Sequence, residues 1–255
     1  MAAQQCSKDD PAAHAAQTRQ WLSTLGNTYL HAVVAAVHGA KMTDWARWFQ
    51  DSVSQFGDTV QASHYDSPRS FFTQQRVVLN WIGDVRGKTI LDLGPGTGHF
   101  SQSLVAHNRV IGVDFVPQML KFCVEKGFLV IQANGMRLPV PSSSMDIIIC
   151  AGVLQHIDDH PSFLKELLRV RKPDGQLYLT TLNKESLVRR LYYMLTPNVE
   201  TMHTYEVSKL AQMLQELAPE TKVESAMIYY PFPGYRHTDS PIDRLLSTAF
   251  TLRVS

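Results

Sequence analysis

Cysteine is scarce: only Cys6, Cys123 and Cys150 occur in 255 residues, and no two of them form a C-x-x-C pair. A sparse, odd-numbered set argues against a disulfide framework or a structural zinc site and fits a reducing cytosol. Cys150 ends an apolar run and is expected in the core. An excess of one charge is lacking too. Lys and Arg number 24 against 23 Asp and Glu, a formal net charge of +1, with no long basic run. Bulk charge therefore gives nucleic acid no support as the main partner. No apolar run approaches the length of about 18 residues that a membrane span needs. The most apolar early segment, "YLHAVVAAVHGA", is too short. The opening "MAAQQCSKDDPAAHAAQ" has no basic start followed by an apolar stretch, so no secretory leader is expected there and a cytoplasmic setting is expected.

An apolar share of 44% and a charged share of 18% describe an ordinary globular chain. The length suits one α/β domain with a small cap. In residues 12–39, Trp21, Leu25, Tyr29, Val33 and Val37 fall at i, i+4 spacing, which predicts a helix ending near Gly39. A second short helix follows Thr43 and Asp44, with Trp45, Trp48, Phe49 and Val53 on one face. These rings read either as core packing or as a lid over an apolar acceptor. From "FFTQQRVVLNWIGDV" onward, helices and strands alternate. The strands are "KTILDL", "RVIGVD", "FLVIQA", "MDIIICAG" and "QLYLTTLN". Helical segments are "GHFSQSLVAH", "PQMLKFCVEKG" and "HPSFLKELLRVRKPDG". Such alternation predicts a mostly parallel sheet covered on both faces. A helix in "TYEVSKLAQMLQELAP" and strands in "KVESAMIYYPF" and "FTLRVS" complete the chain. The stretch 184–204 is longer than a crossover needs, which favours a functional insertion.

Three glycines crowd the end of the first strand, in "LDLGPGTGHF". A strand running into a glycine-rich turn makes a ligand site. The spacing is not that of a P-loop, and neither Gly94 nor Gly96 starts a G-x-G-x-x-G fingerprint, because His99 and Ser101 stand at the third position. The pattern is D-x-G-x-G-x-G from Asp92 to Gly98, with Asp114 closing the next strand. A carboxylate there can accept hydrogen bonds from two ribose hydroxyls.

In this the chain resembles the class I S-adenosylmethionine-dependent methyltransferases over roughly residues 65 to 255. The features stand in order: "LDLGPGTG", "VIGVD", "ANGMRLPV", "VLQHIDD" and "RKPDG". The resemblance implies a Rossmann-like, mostly parallel seven-stranded sheet with helices on both faces, preceded by a helical cap over residues 1–64. It implies S-adenosylmethionine as cofactor. Gly94, Gly96 and Gly98 would let its methionine part lie against the backbone, and Asp92 would fix the loop. Asp114 would hold the ribose, with Phe115 and Met119 walling the adenine. Asn134, Gly135 and Met136 would meet the adenine edge, and Ala151 would close the site from the fourth strand. Asn134 departs from the family's usual Asp. Tyr65 would serve in a lid. Arg76 would pair with the cofactor carboxylate, or is a surface arginine.

Methyl transfer by in-line displacement needs alignment and, for some acceptors, a base; no metal is expected. His156 is expected as that base or as a positioning group, the plain reading being a histidine at a helix entry. Asp158 and Asp159 would favour its charged form. His203, Tyr205 and Tyr230 are expected to face the substrate. The rings of Trp45, Trp48, Phe49 and "YYPFPGY" imply a small, partly apolar acceptor, with O- or C-methylation favoured, as in the quinone-biosynthesis and natural-product subgroup. A tRNA base, a carrier-bound acyl chain, or cofactor binding without turnover are the other readings.

Overall fold

The structure is a computed structural model that describes residues 34–35, 44–65, 67–195, 202–229, 234–237 and 240–255. The strands are β1 (Val34–Ala35), β2 (Thr89–Leu93), β3 (Arg109–Asp114), β4 (Leu129–Gln132), β5 (Met145–Ala151), β6 (Arg171–Leu182), β7 (Val223–Tyr229), β8 (Gly234–Arg236) and β9 (Ala249–Val254). They form one sheet in the order β1-β4-β3-β2-β5-β6-β9-β7-β8. Pairing is parallel from β1 to β6; β9 runs antiparallel to both β6 and β7. Without the short edge strands β1 and β8, the sheet has the seven strands the sequence implies. The chain moves outward from β2 through β3 to β4, then returns to the other side of β2 as β5. The crevice beyond the carboxyl ends of β2 and β5 is thus a topological switch point, where ligands bind in open α/β sheets.

Period-two burial explains the layers. Leu91, Ile148 and Leu177 face one side, packed against Phe163 and Leu167 of α4 (His160–Val170) and Leu210 and Leu214 of α6 (Val207–Leu217). Ile90, Ile147 and Tyr178 face the other side, packed against Phe71 and Val78 of α2 (Pro68–Ile82) and Leu120 and Cys123 of α3 (Pro117–Glu125). Both α2 and α4 start on a capping side chain and carry a proline in the first turn. Ser67 accepts from the Ser70 N–H and Asp159 from the Ser162 N–H, each at 3.1 Å. The helix α1 (Asp44–Phe56) lays Ala46 and Val53 on Val116 and Met119, over the carboxyl end of β3.

Several local expectations change. Val34 and Ala35 lie within the stretch expected to be helical, yet they pair with Ile131 and Gln132 as an edge strand; the open ladder of β4 offers them main-chain partners. The rest of residues 12–39 lies outside the described residues. "GHFSQSLVAH" forms turns and a 3-10 helix, Gln102–Leu104, rather than an α-helix. Gly98 at φ +87 interrupts right-handed winding at its start, and the bonds that follow are i to i−3. Within the stretch 184–204, α5 (Leu187–Leu195) forms.

Candidate active site

The cleft encloses about 420 Å³ and opens at the carboxyl ends of β2, β3, β5 and β6. Asp92 and Asp114 reach it from neighbouring strands. Asp92 is buried and accepts a hydrogen bond from the Ser101 hydroxyl. Burial lifts its carboxyl to about 7, and the nearby Asp114 adds to the rise while the Ser101 bond opposes it. Asp114 accepts from the Val116 N–H at 2.9 Å, and the nearby backbone N–H groups of Gly96 and Phe115 also favour its charged form. Burial outweighs these bonds and holds its carboxyl near 6. Two carboxylates that resist ionisation call for a ligand bringing donors or positive charge.

The glycine loop supplies space. Gly94 and Gly96 have φ of +69 and +56, and a Cβ would collide with Val153 at the first and with the Ser63 hydroxyl at the second. Ser63, His64 and Tyr65 therefore lie across the loop and line the cleft. Tyr65 is edge-on to Phe71, with centroids 4.9 Å apart, and its hydroxyl sits above Gly152. Burial pushes its pKa up. Phe115, Met119, Asn134, Gly135, Met136 and Ala151 also line the cleft. The Asn134 side-chain oxygen accepts from the Met136 N–H at 2.9 Å, so it shapes the turn after β4 and leaves its amide as a donor.

His156 sits in a 3-10 turn, Leu154–His156, after β5. Its ring is edge-on to Trp45 at 4.3 Å and to Phe49 at 5.3 Å. Nδ1 is buried without a partner. Burial, then His203 and His64, depress its pKa to about 4, so the ring is neutral near pH 7. The two expected carboxylates do not reverse this. Asp158 instead pairs with His203 Nε2 at 3.1 Å, and Asp159 caps α4.

Four other expected residues lie elsewhere. Gly98 packs away from the cleft, where a Cβ would meet Cys123 Sγ at 3.2 Å. Arg76 is exposed over the Tyr235 ring at 5.8 Å. The cleft-facing residues of α2 are Ser70, Phe71 and Gln74, and two positions beyond Gln74 the helix has turned away. His203 does not line the cleft. Nor does Tyr205, whose hydroxyl donates to Leu154 O at 2.9 Å and braces the turn that carries His156. Tyr230 lies outside the described residues. Trp48 backs His64 rather than facing the cleft. His64, Gln74, Gln155 and the buried Arg189 of α5 line the cleft without having been singled out by the sequence. The prior signals among them are the place of Gln155 in "VLQHIDD" and that of Arg189 inside the over-long 184–204 stretch.

Comparison with known proteins agrees. Residues 91–179 match the family model described as a methyltransferase domain. A demethylmenaquinone methyltransferase of Geobacillus kaustophilus is 31% identical over 152 residues, 52% of this chain and 64% of that protein. One from Lactococcus lactis is 35% identical over 107 residues, covering 38% and 42%. A mitochondrial ubiquinone biosynthesis O-methyltransferase of Bos taurus is 28% identical over 171 residues, covering 59% and 46%. The chain thus matches between 42% and 64% of the length of these relatives. A solved S-adenosylmethionine-dependent methyltransferase of Thermotoga maritima superposes with a TM-score of 0.65 at 16% identity, over 81% of this chain and 99% of that one. Residues 91–179 are thus those of a methyltransferase domain, set in the fold of the S-adenosylmethionine-dependent methyltransferases.

Proposed function

We propose that this chain binds S-adenosylmethionine in the cleft and methylates a small, partly apolar acceptor at oxygen or carbon. The carrying observation is the pair Asp92 and Asp114 beside a glycine loop that has no room for a Cβ. The bound cofactor supplies an electrophilic methyl group on a sulfonium. Asp114, anchored by the Val116 N–H, accepts from the ribose hydroxyls. Asp92 faces the positively charged end, which favours its ionised form. Gly94 and Gly96 admit the ligand to the backbone, and Phe115, Met119, Asn134, Gly135, Met136 and Ala151 surround the base. Tyr65 closes the cleft and excludes water. His156, neutral and facing the aromatic end, takes a proton from a hydroxyl or an acidic carbon of the acceptor. Trp45 and Phe49 supply apolar walls for that acceptor. The quinone-biosynthesis relatives support an acceptor of this kind, and the free thiols Cys123 and Cys150 suit a reducing cytoplasm.

The test is incubation with methyl-labelled cofactor and a panel of phenols, reduced quinones and cell extract. Label should enter a small organic molecule. Label recovered in tRNA or in carrier protein, or none transferred by a chain that binds cofactor, would overturn the reading.

A further inference from the structure

Two neighbouring helices turn their apolar faces outward. In α5, Leu187, Leu191, Met194 and Leu195 fall at i, i+4, i+7 and i+8, a single stripe. All four are between 48% and 72% exposed. In α7 (Pro241–Leu246), Ile242, Leu245 and Leu246 fall at i, i+3 and i+4 and are exposed as well. The two helices pack against each other, and Asn183, just ahead of α5, donates to the Arg244 carbonyl of α7 at 2.6 Å. Single exposed apolar side chains are ordinary on a protein surface; two adjoining stripes of them mark an interaction face. Arg189 falls on the opposite side of α5, buried and lining the cleft, with Nε donating to Thr248 O at 3.3 Å. One nine-residue helix therefore borders the cleft with its arginine and solvent with its leucines.

The rim of this face carries positive charge. Arg190 flanks the α5 stripe, at i+3 from Leu187 and i−4 from Met194, and is the only exposed charged residue of the two helices. Lys184 and Arg236, which precede α5 and α7, are well exposed, while their acidic partners Glu206 and Asp243 sit deeper. Glu185 pairs with Arg244 at 3.8 Å and the two add no net charge. Tyr192, half exposed, stands at the flank of the same stripe. An apolar face edged by cations and a tyrosine is the pattern of a helix lying in a membrane interface. There the apolar side chains enter the acyl boundary and the cations meet anionic headgroups. A second copy of the chain fits this face less well. A two-fold contact would bring like-charged rims together, with no exposed acid on either helix to answer them.

We propose that the α5–α7 face is a docking surface for an anionic lipid bilayer, on which the chain rests without spanning it. The docking stands on these two helices and does not depend on the chemistry in the cleft.

The test mixes the full chain with vesicles of phosphatidylcholine alone or of equal parts phosphatidylcholine and phosphatidylglycerol. The bound fraction is read by sedimentation as lipid concentration rises. Binding to the anionic vesicles should be about tenfold tighter or more, and added salt should shrink that difference. Leu191→Asp combined with Leu195→Asp should weaken binding to anionic vesicles about 100-fold, since two leucines no longer leave water. Ile242→Asp, in the other helix, should weaken it about tenfold. Arg190→Ala should weaken it about fivefold and leave binding to neutral vesicles nearly unchanged. Thermal unfolding like that of wild type shows that a variant is folded. The variants lie in two helices, so if one unfolds early the others still decide. No binding to vesicles, equal binding to both kinds, or binding that survives the aspartates in either helix overturns the docking surface. So does a dimer, seen by sedimentation equilibrium without lipid, that the same aspartates dissociate; the face then belongs to a second copy of the chain.

Discussion

At the scale of single residues, chemistry turns on which side chains are held uncharged. Asp92 and Asp114 ionise with difficulty, near 7 and near 6, because both are buried. A ligand that donates to Asp114 and brings positive charge to Asp92 binds the ionised forms. Cofactor affinity should therefore be level above about pH 7, begin to fall as Asp92 protonates below 7 and fall more steeply below 6, with protons released on binding wherever the affinity falls. Calorimetry in buffers of differing ionisation enthalpy reads both; a flat profile refutes the pairing. The folding sign is opposite. Both carboxyls have folded values above the ordinary 3.8, so the free protein binds more protons than its unfolded chain in this window. The two groups thus make it less stable as pH rises from about 4 to 7. His156 behaves differently, being neutral until about pH 4. With cofactor saturating, turnover should stay level down to about pH 5. His156→Ala should lower turnover by about 100-fold, the low end for general acid–base catalysis, because so depressed a base is weak. Cofactor affinity should hold, and an alanine variant with full turnover would leave His156 a structural residue.

At the scale of elements, the site depends on short braced turns. Leu154–His156 is a single 3-10 turn whose carbonyl at Leu154 accepts from the Tyr205 hydroxyl. Tyr205 follows the stretch 184–204 and is held there by its own bridge to Asn183. Tyr205→Phe removes that one bond and keeps the ring. It should cost about 1 kcal/mol of stability, read by urea unfolding. It should also reduce turnover several-fold while sparing cofactor affinity, since the loosened turn carries His156 and not the carboxylates. Loss of cofactor binding in the same variant would place Tyr205 in a different role. The elements themselves were legible in the sequence where hydrophobic period and caps agreed. Pro117 opens a helix where one was expected, while the helix of "FFTQQRVVLNWIGDV" starts three residues earlier than its apolar pattern suggests, at Pro68. "GHFSQSLVAH" was not legible, because the left-handed Gly98 outweighs the helical composition after it.

At the scale of the molecule, the cleft joins parts distant in sequence: α1, the Ser63–Tyr65 segment, four strand ends and Arg189 of α5. Ligand binding should therefore stabilise the whole domain rather than one loop. At a concentration 100 times its Kd, S-adenosylhomocysteine should add about 2.7 kcal/mol. For a chain of this size, that raises Tm by roughly 5–10 °C. A thermal scan with and without ligand reads it. The same rise in Asp114→Ala would remove the carboxylate from the binding site.

The sequence alone determined the alternation of strands and helices, the glycine loop, Asp92 and Asp114 at two strand ends, and His156 after a third. These are local signals: hydrophobic period, a turn that only glycine accepts, and an acid fixed by its distance from that turn. Only the tertiary structure decided which nearby residues face the cleft. Gly98 and Arg76 sit within a few positions of residues that line it, yet helix phase and packing turn them away. His203 and Tyr205 come close in space but brace the site from behind. His64 precedes Tyr65 and was not singled out, and its left-handed turn, its stacking on Trp48 and its unpartnered nitrogen arise only when α1 folds over the strand ends. The charge state of His156 was likewise invisible, because burial, with His203 and His64 adding to it, sets that state, and burial is a property of the assembled fold.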